Sequence, residues 1–182
     1  MILPIVKYGN SILRTECENI EKDHPNLNNL ILNMWETLNN ADGCGLAAPQ
    51  INQPIKLFIV DSEASYYSMN QSNRNKYFEN NCGIKETFIN AQITEYSGDV
   101  WSVEEGCLSI PSLYESVKRY WQITIEYYNS QFQKQIQTFQ GQTARIIQHE
   151  YDHTLGKLYI DHLDPFRKQM IRNKLRKLEK IR

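Results

Sequence analysis

The sequence lacks any long apolar run, and this absence argues against a helix that crosses a membrane. The longest uninterrupted run is "LFIV" at residues 57–60, far short of the roughly 20 residues that span a bilayer. The first ten residues, "MILPIVKYGN", have no basic segment ahead of their apolar part and no small-residue cleavage site after it. We therefore expect neither a signal peptide nor a transit peptide, and we predict a cytoplasmic protein.

Cysteine is also scarce in this chain. The four cysteines form no CxxC pair, and they are Cys17, Cys44, Cys82 and Cys107. Without a secretion signal, this pattern predicts reduced thiols rather than a disulfide framework. Because an isolated cysteine is by default a small buried hydrophobic residue, any functional role has to be argued from its neighbours.

Charge is close to balanced overall but is unevenly distributed along the chain. The net charge is −1, yet residues 166–182 carry +7 and the other 165 residues carry −8. A basic tail on an acidic body suggests a polyanionic partner for the tail. Since 41% of the 182 residues are hydrophobic, the chain can bury a core, and we expect one domain over residues 1–182.

The pattern of apolar residues predicts one early helix, then a run of strands followed by two more helices, and strands followed by helices are typical of the α+β class. Helical spacing is found over residues 24–40, 142–156 and 164–182. Alternating or continuously apolar segments that predict strands are residues 55–61, 87–93, 99–103, 120–128 and 134–140. Residues 62–86 are polar and rich in Asn, Ser and Tyr, so we predict that they form an inserted surface loop.

One of the predicted helices carries two histidines four residues apart. In "QHEYDH" at residues 148–153, His149 and His153 fall on one face of the helix and can bind the same metal ion. Glu150 can then reach a water molecule on that ion. This HExxH pattern is typical of catalytic sites that combine two ligands with a general base. It also arises by chance on solvated helices, so the interpretation depends on a third ligand.

Two positions offer a third ligand. Downstream, "HEYDHTLG" matches the start of the metzincin pattern, but the next histidine of that pattern would fall at Tyr159, and His162 comes three residues later. Upstream, Cys107 lies in "EEGCLSIP", in a glycine-containing turn after a predicted strand. A thiolate there would complete a set of two histidines and one cysteine, with a position open for water, as in catalytic metal sites.

A third segment, "GCGLAAPQ" at residues 43–50, combines small residues with an amide side chain. Its glycines and alanines let another molecule approach the backbone closely, and Gln50 ends the segment with a hydrogen-bond donor. By itself, such a segment is more often a plain turn between a helix and a strand than a binding site.

Together, the three segments resemble the signature motifs of the peptide deformylase family. The family pattern GxGLAAxQ matches Gly43–Gln50, EGCLS matches Glu105–Ser109 and QHExDH matches Gln148–His153. The motifs occur in the family's order, and the similarity extends from about Pro4 to the C-terminal helix. Three linked motifs are far more specific than HExxH alone. The resemblance implies small antiparallel sheets around a central HExxH helix, with a further helix at the C-terminus.

The resemblance also implies a reaction and a cofactor. The reaction removes the N-formyl group from the N-terminal methionine of nascent chains and releases formate. Cys107, His149 and His153 would bind one divalent ion. The implied ion is Fe²⁺ in the cell, with Zn²⁺, Ni²⁺ or Co²⁺ in purified material.

Further roles follow from the matched positions. The resemblance makes Glu150 the general acid/base, and it assigns oxyanion binding to Gln50 and to the backbone N–H of Leu108. Gly45 would lie along the substrate backbone. We expect Ile146, one turn before the first metal-binding histidine, in the wall of a pocket for the methionine side chain.

Two charged residues of the same helix are interpreted separately. Arg145 fits two descriptions: its stem lines the pocket with the charge outside, or it is an ordinary surface residue. Asp152 points away from the metal-binding face, and we predict that it forms a structural ion pair with Arg119.

The basic helix at residues 164–182 leaves two interpretations open. Its charged face either is simply solvated, which suits the negative end of the helix dipole, or docks to ribosomal RNA where the nascent substrate emerges. We expect no membrane or DNA partner. One apolar stripe is predicted to pack on the body, and its residues are Phe166, Met170, Ile171, Leu175, Leu178 and Ile181.

Two other functions stay open at this point. One is an HExxH metallopeptidase in which His162 is the third ligand. The other is a catalytically inactive relative that keeps its metal ion for structure, although a purely structural site has no need of the base Glu150.

Overall fold

The computed structural model describes residues 1–79 and 81–180 of the chain. The α-helices are α1 (Leu27–Asn40), α2 (Ser62–Ser68), α3 (Gln71–Phe78), α4 (Gly141–Thr154) and α5 (Pro165–Glu179). The strands are β1 (Gly45–Ala47), β2 (Leu57–Asp61), β3 (Lys85–Cys107), β4 (Ile110–Tyr128) and β5 (Lys134–Gln140). Short 3₁₀ helices occupy Ser11–Arg14, Ala48–Ile51 and Tyr159–His162. The α+β class predicted from the sequence is confirmed.

The strands form one antiparallel sheet in the order β1-β2-β3-β4-β5. Neighbours in the chain are therefore neighbours in the sheet, as hairpin connections favour. All residues of β2 are buried, which agrees with the continuous apolar run "LFIV". The rings of Phe58 and Phe88 face each other across β2 and β3 with centroids 4.8 Å apart.

The predicted strands at 87–93 and 99–103 are parts of the single long strand β3. The alternation that marks a strand is interrupted because the pairing of β3 with β4 shifts between Ser97 and Val100 and at other points. Asn90 and Gly98 adopt positive φ angles of 50° and 72° at two of these irregularities. Such bulges add a residue on one strand, so the period of two is lost although the strand continues.

Helix α4 is the central helix, and it packs against β1, β2 and β4. Ala144 and Ile147 are fully buried against the sheet. The helix is followed by Gly156, whose φ is +68° and whose missing Cβ would lie 2.6 Å from the carbonyl oxygen of Arg14. A glycine at this position therefore allows the chain to leave the helix and pass close to the N-terminal segment.

The prediction of a surface loop at residues 62–86 is wrong, because this segment contains α2 and α3. Each helix has an N-cap: Asp61 accepts a hydrogen bond from the N–H of Ala64 at 2.9 Å, and Asn70 accepts one from the N–H of Asn73 at 3.0 Å. The segment is also anchored by Phe78, which is 1% exposed. Capping residues and one buried aromatic side chain thus order a segment whose average composition is polar.

The segment at α2 and α3 also contacts α4 directly. The hydroxyl oxygens of Ser62 and Thr143 are 2.9 Å apart. A Cβ at Gly141 would lie 2.1 Å from the carbonyl oxygen of Tyr77, so only glycine allows this approach at the start of α4. The predicted insertion therefore packs on the first turn of the helix that carries the histidines.

Helix α5 begins where its capping signals predict, with Asp164 accepting a hydrogen bond from the N–H of Arg167 at 2.9 Å. Ile171 is buried, but Phe166 and Met170 are 73% and 58% exposed. The prediction that these two residues belong to the packed stripe is wrong. Met170 is rotated about 100° around the helix from Ile171, and Phe166 about 140°, so they lie on a second, exposed face.

Leu175 and Leu178 pack with Ile171 against the body, as predicted. Ile181, the last residue of the predicted stripe, and Arg182 lie outside the described residues. Among the helices of residues 1–79 and 81–180, none has both the length and the apolar character that a membrane crossing requires.

Candidate active site

The candidate active site is a cavity where helix α4 faces the turn between β3 and β4. The cavity has a volume of about 680 Å³. Its walls include residues 43–45, the turn around Cys107, and Ile146, His149 and Glu150 of α4. Three motifs that are far apart in the sequence therefore meet around one cavity.

The cysteine and the two histidines of the motifs lie together. Cys107 ends β3 and pairs with Ile110 across a tight turn, which directs its side chain toward α4. Its Sγ lies 3.3 Å from Nε2 of His153, and the rings of His149 and His153 have centroids 5.2 Å apart. One donor atom from each of the three residues lies within 4.8 Å of the others.

This donor set fits a divalent transition metal ion. Two ligands of a tetrahedral ion, with bonds of about 2.3 Å to sulfur and about 2.0 Å to nitrogen, lie roughly 3.5 Å apart. The 3.3 Å between Cys107 Sγ and His153 Nε2 is close to that spacing. Thiolate and imidazole together suit zinc and ferrous iron better than magnesium or calcium, which prefer oxygen ligands. The cluster therefore indicates a single metal site.

The charge state of the cysteine sulfur suits the same role. Burial alone would raise the pKa of the Cys107 thiol, but His153 and His149 beside it hold that pKa well below its usual value. Burial opposes the charged form of His149, yet hydrogen bonds with Cys107 and Glu105 raise its pKa well above the usual range. Cys107 is thus favoured as a thiolate, which is the form that binds metal ions.

Glu150 lines the cavity as a buried carboxyl group. Its Oε2 has no hydrogen-bond partner among the described residues. Burial raises the pKa of Glu150 to about 7, although His149 and His153 act in the opposite direction. A Cβ at Gly45 would lie 2.5 Å from Oε1 of Glu150, so the backbone of β1 runs directly beside the carboxyl group. A carboxyl group titrating near neutrality can both accept and return a proton.

Gln50 and Leu108 lie beside Cys107. The carbonyl oxygen of the Gln50 side chain accepts a hydrogen bond from the N–H of Ala47 at 2.8 Å. This bond aims Nε2 of Gln50 at Cys107 Sγ, 3.5 Å away, and at the Ser109 hydroxyl, 3.2 Å away. Leu108 follows Cys107 in the turn and also lines the cavity. An amide donor and the turn backbone thus border the same space.

Ile146 and Arg145 both line the cavity, as expected for Ile146 and for one of the two descriptions of Arg145, but the charge of Arg145 does not lie where that description places it. Its side chain is 2% exposed, so it is not a surface residue, and its charge does not lie outside. The guanidinium donates hydrogen bonds to Glu105 at 2.5 Å and to the carbonyl oxygens of Val117 and Trp101 at 3.0 and 2.8 Å. Hydrogen bonds to these buried acceptors replace the hydrogen bonds to water that the guanidinium loses on burial.

Glu105 is the residue of the site that the sequence reasoning missed. It lies within the EGCLS motif but received no role. Its Oε2 is 3.0 Å from Nδ1 of His149, and Arg119 donates to both of its oxygens at 2.9 and 3.0 Å. These charges hold the pKa of Glu105 well below its usual value although burial acts against this. A carboxylate that fixes the orientation of a metal-binding histidine is common in metal sites, and its place beside Cys107 was the available signal.

The ion pair predicted between Asp152 and Arg119 is present, and the same carboxylate also contacts His162. Arg119 donates to Asp152 at 2.6 Å, and Nε2 of His162 lies 2.7 Å from the same carboxylate oxygen. His162 is therefore occupied on the far side of the network and does not join the metal-ligand cluster. This arrangement counts against a metallopeptidase that uses His162 as its third ligand.

Comparison with known proteins agrees with this geometry. Residues 2–169 match the family model described as polypeptide deformylase. The chain is 49% identical over 178 residues to a protein named peptide deformylase from Flavobacterium psychrophilum, covering 98% of this chain and 91% of that one. It is 42% identical over 182 residues to a peptide deformylase from Christiangramia forsetii, covering 99% and 91%.

Solved structures lead to the same family. A peptide deformylase from Legionella pneumophila superimposes with a TM-score of 0.82 at 30% identity, covering 100% of this chain and 97% of that one. The Plasmodium falciparum peptide deformylase complex with inhibitor gives a TM-score of 0.79 at 30% identity, covering 96% and 97%. The chain belongs to the peptide deformylase family, and it is a metal-dependent hydrolase that removes the N-formyl group from the N-terminal methionine of nascent polypeptides.

Proposed function

We propose that Cys107, His149 and His153 bind one divalent ion and that Glu150 is the general acid/base of deformylation. The observation that carries this proposal is the cluster of one sulfur and two ring nitrogens within 4.8 Å. The carboxyl group of Glu150, whose Oε2 is buried and unpaired within the described residues, supports it further.

The proposed chemistry divides between the ion and the protein. A divalent ion in this site would supply Lewis acidity, which lowers the pKa of water toward about 7 and polarises the formyl oxygen. Glu150 would accept the proton of the attacking water and return it to the leaving amine. Both tasks need a carboxyl group that is neither tied to a partner nor fixed in its ionised state, and Glu150 meets both conditions.

Two groups are proposed to bind the oxygen that becomes negative during the attack. Nε2 of Gln50 is held in a fixed direction by the bond between its Oε1 and the N–H of Ala47. The N–H of Leu108 belongs to the turn that also presents Cys107. Each preorganised donor of this kind typically contributes about 3 kcal/mol to transition-state stabilisation.

Gly45 and Ile146 are proposed to position the substrate. A side chain at Gly45 would collide with Glu150, so a bare backbone there leaves room for the peptide beside the acid/base. Ile146 lies one turn before His149, and its apolar side chain borders the cavity. An apolar wall at this depth suits the methionine side chain that carries the formyl group.

We propose Fe²⁺ as the ion in the cell, with Zn²⁺, Ni²⁺ or Co²⁺ as replacements in purified protein. The mixed thiolate and imidazole set supports ions of this class. Element analysis of protein purified without oxygen tests the proposal. Zinc as the sole ion under those conditions would contradict it.

Metal content of variants tests the ligand assignment. Cys107→Ala is expected to reduce or abolish metal binding, whereas His162→Ala keeps it, because His162 contacts Asp152 instead. Hydrolysis of formyl-Met-Ala-Ser, followed by formate release, gives the parallel activity readout. Full metal content in Cys107→Ala together with loss in His162→Ala would overturn the assignment.

We also propose that the outer face of α5 docks to ribosomal RNA and that the protein acts in the cytoplasm, where formylated chains emerge. The charges of this face are exposed, and they are Arg172, Lys174, Arg176, Lys177 and Lys180. They form no ion pairs with the residues that the structure describes, unlike Arg167, which pairs with Glu115. Phosphate contacts of this kind weaken steeply with salt.

Charge reversal tests the docking proposal. Changing Arg172, Arg176 and Lys180 to Glu is expected to abolish salt-sensitive co-sedimentation with ribosomes while hydrolysis of short formyl peptides continues. Reversal of Lys22, Lys76 and Lys157, which are exposed elsewhere, is the matched control. If both variants co-sediment equally at low salt, the docking proposal is wrong and the charged face of α5 is simply solvated.

Finally, we propose that residues 1–182 form a single domain. Support comes from the sheet and α4, which contribute residues to a hydrophobic cluster that includes Phe58, Ile125 and Ile147. A single cooperative unfolding transition, seen identically by tryptophan fluorescence and circular dichroism, is the expected result.

A further inference from the structure

Glu105 is held by more partners than any other carboxylate beside the metal site. Its two oxygens accept hydrogen bonds from Arg119, from Arg145 and from Nδ1 of His149. Arg119 is shared with Asp152, which it binds at 2.6 Å. Arg145, in contrast, makes its only ion pair within the described residues with Glu105.

Arg145 is itself fixed from several sides. Its guanidinium reaches the carbonyl oxygens of Val117 on β4 and Trp101 on β3, which belong to the two strands of the hairpin that carries Cys107. The guanidinium carbon also lies 4.2 Å from the centre of the Trp101 ring. A planar, multiply bonded group in this setting has one orientation, and it transmits that orientation to Glu105.

An aromatic layer covers this arginine on the side away from the metal ligands. Trp101 contacts Tyr77 of α3 and Trp121 of β4, with ring centroids 5.3 and 5.0 Å away. Tyr77 comes from the segment predicted to be a loop. Arg145 and Glu105 are 2% and 7% exposed, and a lower local dielectric strengthens a buried ionic hydrogen bond.

We infer that Arg145 is a positioning residue of the metal site: by anchoring Glu105 it fixes the ring of His149, so that Nε2 of that ring faces the metal position. The inference rests on the proposed function, because it takes His149 as a metal ligand. An ionised Glu105 accepts from Nδ1–H, which leaves Nε2 as the nitrogen with a lone pair for the metal ion.

The charges of the network explain why Arg119 does not replace Arg145. Two guanidinium groups face two carboxylates, Glu105 and Asp152. If Arg145 is lost, Arg119 is divided between both carboxylates and one negative charge is left uncompensated. Oε1 of Glu105 then keeps only the bond from Nε of Arg119, so the carboxylate is held less firmly in the orientation that accepts from Nδ1 of His149.

Metal affinity tests the inference without relying on turnover. Arg145→Met is expected to weaken Zn²⁺ or Co²⁺ binding about 10-fold in competition with a chelator, the lower end of the 10–100-fold that loss of a ligand's direct partner typically costs, because Arg145 acts through Glu105. The visible spectrum of the Co²⁺-loaded protein should change as well, because a tilted His149 alters the ligand field. Arg145→Lys keeps the charge but not the planar fork, and an intermediate effect is expected.

Arg167→Met is the matched control. Arg167 also pairs with a buried glutamate, Glu115, but lies on α5 away from the metal ligands. Both methionine variants should lower the thermal stability of the metal-free protein, and only Arg145→Met should change the affinity and the Co²⁺ spectrum. If Arg145→Met does not fold, Arg145→Lys is the decisive variant, with the same direction and a smaller size of effect.

Failure of the inference differs from failure of the proposed function. Wild-type affinity and an unchanged Co²⁺ spectrum in both Arg145 variants would overturn the inference while the ligand set stands. Retention of metal by Cys107→Ala would instead overturn the ligand set on which the inference rests.

Discussion

Glu105 and Glu150 both lie beside the candidate metal site, but their hydrogen-bond partners and their pKa shifts differ in opposite ways. Glu105 accepts hydrogen bonds from two arginines and a histidine, and its pKa lies well below the usual value. Glu150 has an oxygen with no partner among the described residues, and burial raises its pKa to about 7. One carboxyl group is a buried anion bonded to a ring, and the other is the proposed acid/base. Opposite environments thus suit one residue type to two tasks.

The largest effect is expected when the proton-exchanging member of the pair is removed. Glu150→Gln should retain the metal ion but lower kcat for formyl-Met-Ala-Ser by about 10²–10⁴-fold, because an amide cannot accept the proton. Element analysis and formate release measure the two outcomes. Turnover like that of the wild type would eliminate Glu150 as the acid/base.

Stability provides the contrast within the same variant. Glu150 is buried but forms no ion pair with the described residues, so its replacement by Gln should not destabilise the metal-free protein. A clear loss of stability in urea would mean that Glu150 has a structural partner that its surroundings do not reveal.

A smaller effect on turnover, but a large effect on stability, is expected at the fixed member. Glu105→Gln leaves Arg119 and Arg145 without their shared anion, and breaking a buried pair typically costs about 3–5 kcal/mol of unfolding free energy. Metal affinity should also fall about 10–100-fold. Urea denaturation of the metal-free protein and chelator competition measure both. If Glu105→Gln were as stable as Glu150→Gln, the proposed structural role of Glu105 would be wrong.

Gly45→Ala tests how closely the backbone confines Glu150. The added methyl would lie 2.5 Å from Oε1, so the carboxyl group has to move. We expect kcat to fall about tenfold with the metal ion retained, since a displacement of about 1 Å can cost about 10²-fold.

Gly43→Ala is the control for that prediction. Its methyl would meet Leu38 and Leu108 at 2.9 and 3.0 Å, at the ends of flexible side chains and away from Glu150. A loss of kcat as large as that in Gly45→Ala would show that crowding of the loop, rather than displacement of Glu150, is responsible.

The smallest effect on stability is expected at Tyr77, whose ring contacts Trp101 beside Arg145. Tyr77→Ala removes the contact with Trp101, and aromatic pairs of this kind contribute about 0.5–1.5 kcal/mol. We expect a loss of stability of that size, with kcat unchanged. Thermal unfolding and steady-state kinetics measure the result. A fall in kcat without a fall in stability would mean that Tyr77 affects catalysis rather than packing.

The metal-ligand candidates could be found from the sequence because their signal is local. His149 and His153 are one helical turn apart, and Cys107 lies in a short motif with a recognisable order. Glu105 shares the motif of Cys107, but neither its bond to His149 nor the role of Arg145 could be derived from the sequence. Their roles depend on which strand residue faces which helix residue, and that is decided by tertiary packing rather than by spacing.

The same limit explains the errors in the fold. Average composition predicted a loop at residues 62–86, but order there depends on individual caps such as Asp61 and on the single buried ring of Phe78. The apolar residues of α5 were assigned to one stripe, although Phe166 points away from Ile171 by more than a quarter turn. The strands were recognised by alternation, which fails where bulges occur.

The β3–β4 hairpin has a consequence for the order in which the site assembles during folding. The candidate ligands all lie between residues 107 and 153, at the end of β3 and on the helix that follows β5. Gln50 and Gly45 reach the same cavity only after β2 has paired with β3, across the intervening segment that holds α2 and α3. Because closing a longer loop costs more entropy, nearer contacts tend to form first. Pairing of β2 with β3 closes 24 residues, from Asp61 to Lys85, whereas Cys107 and His149 are 42 residues apart. The sheet that carries Gly45 and Gln50 to the cavity therefore has the kinetic advantage, and the cysteine and the two histidines come together last, when α4 packs on that sheet.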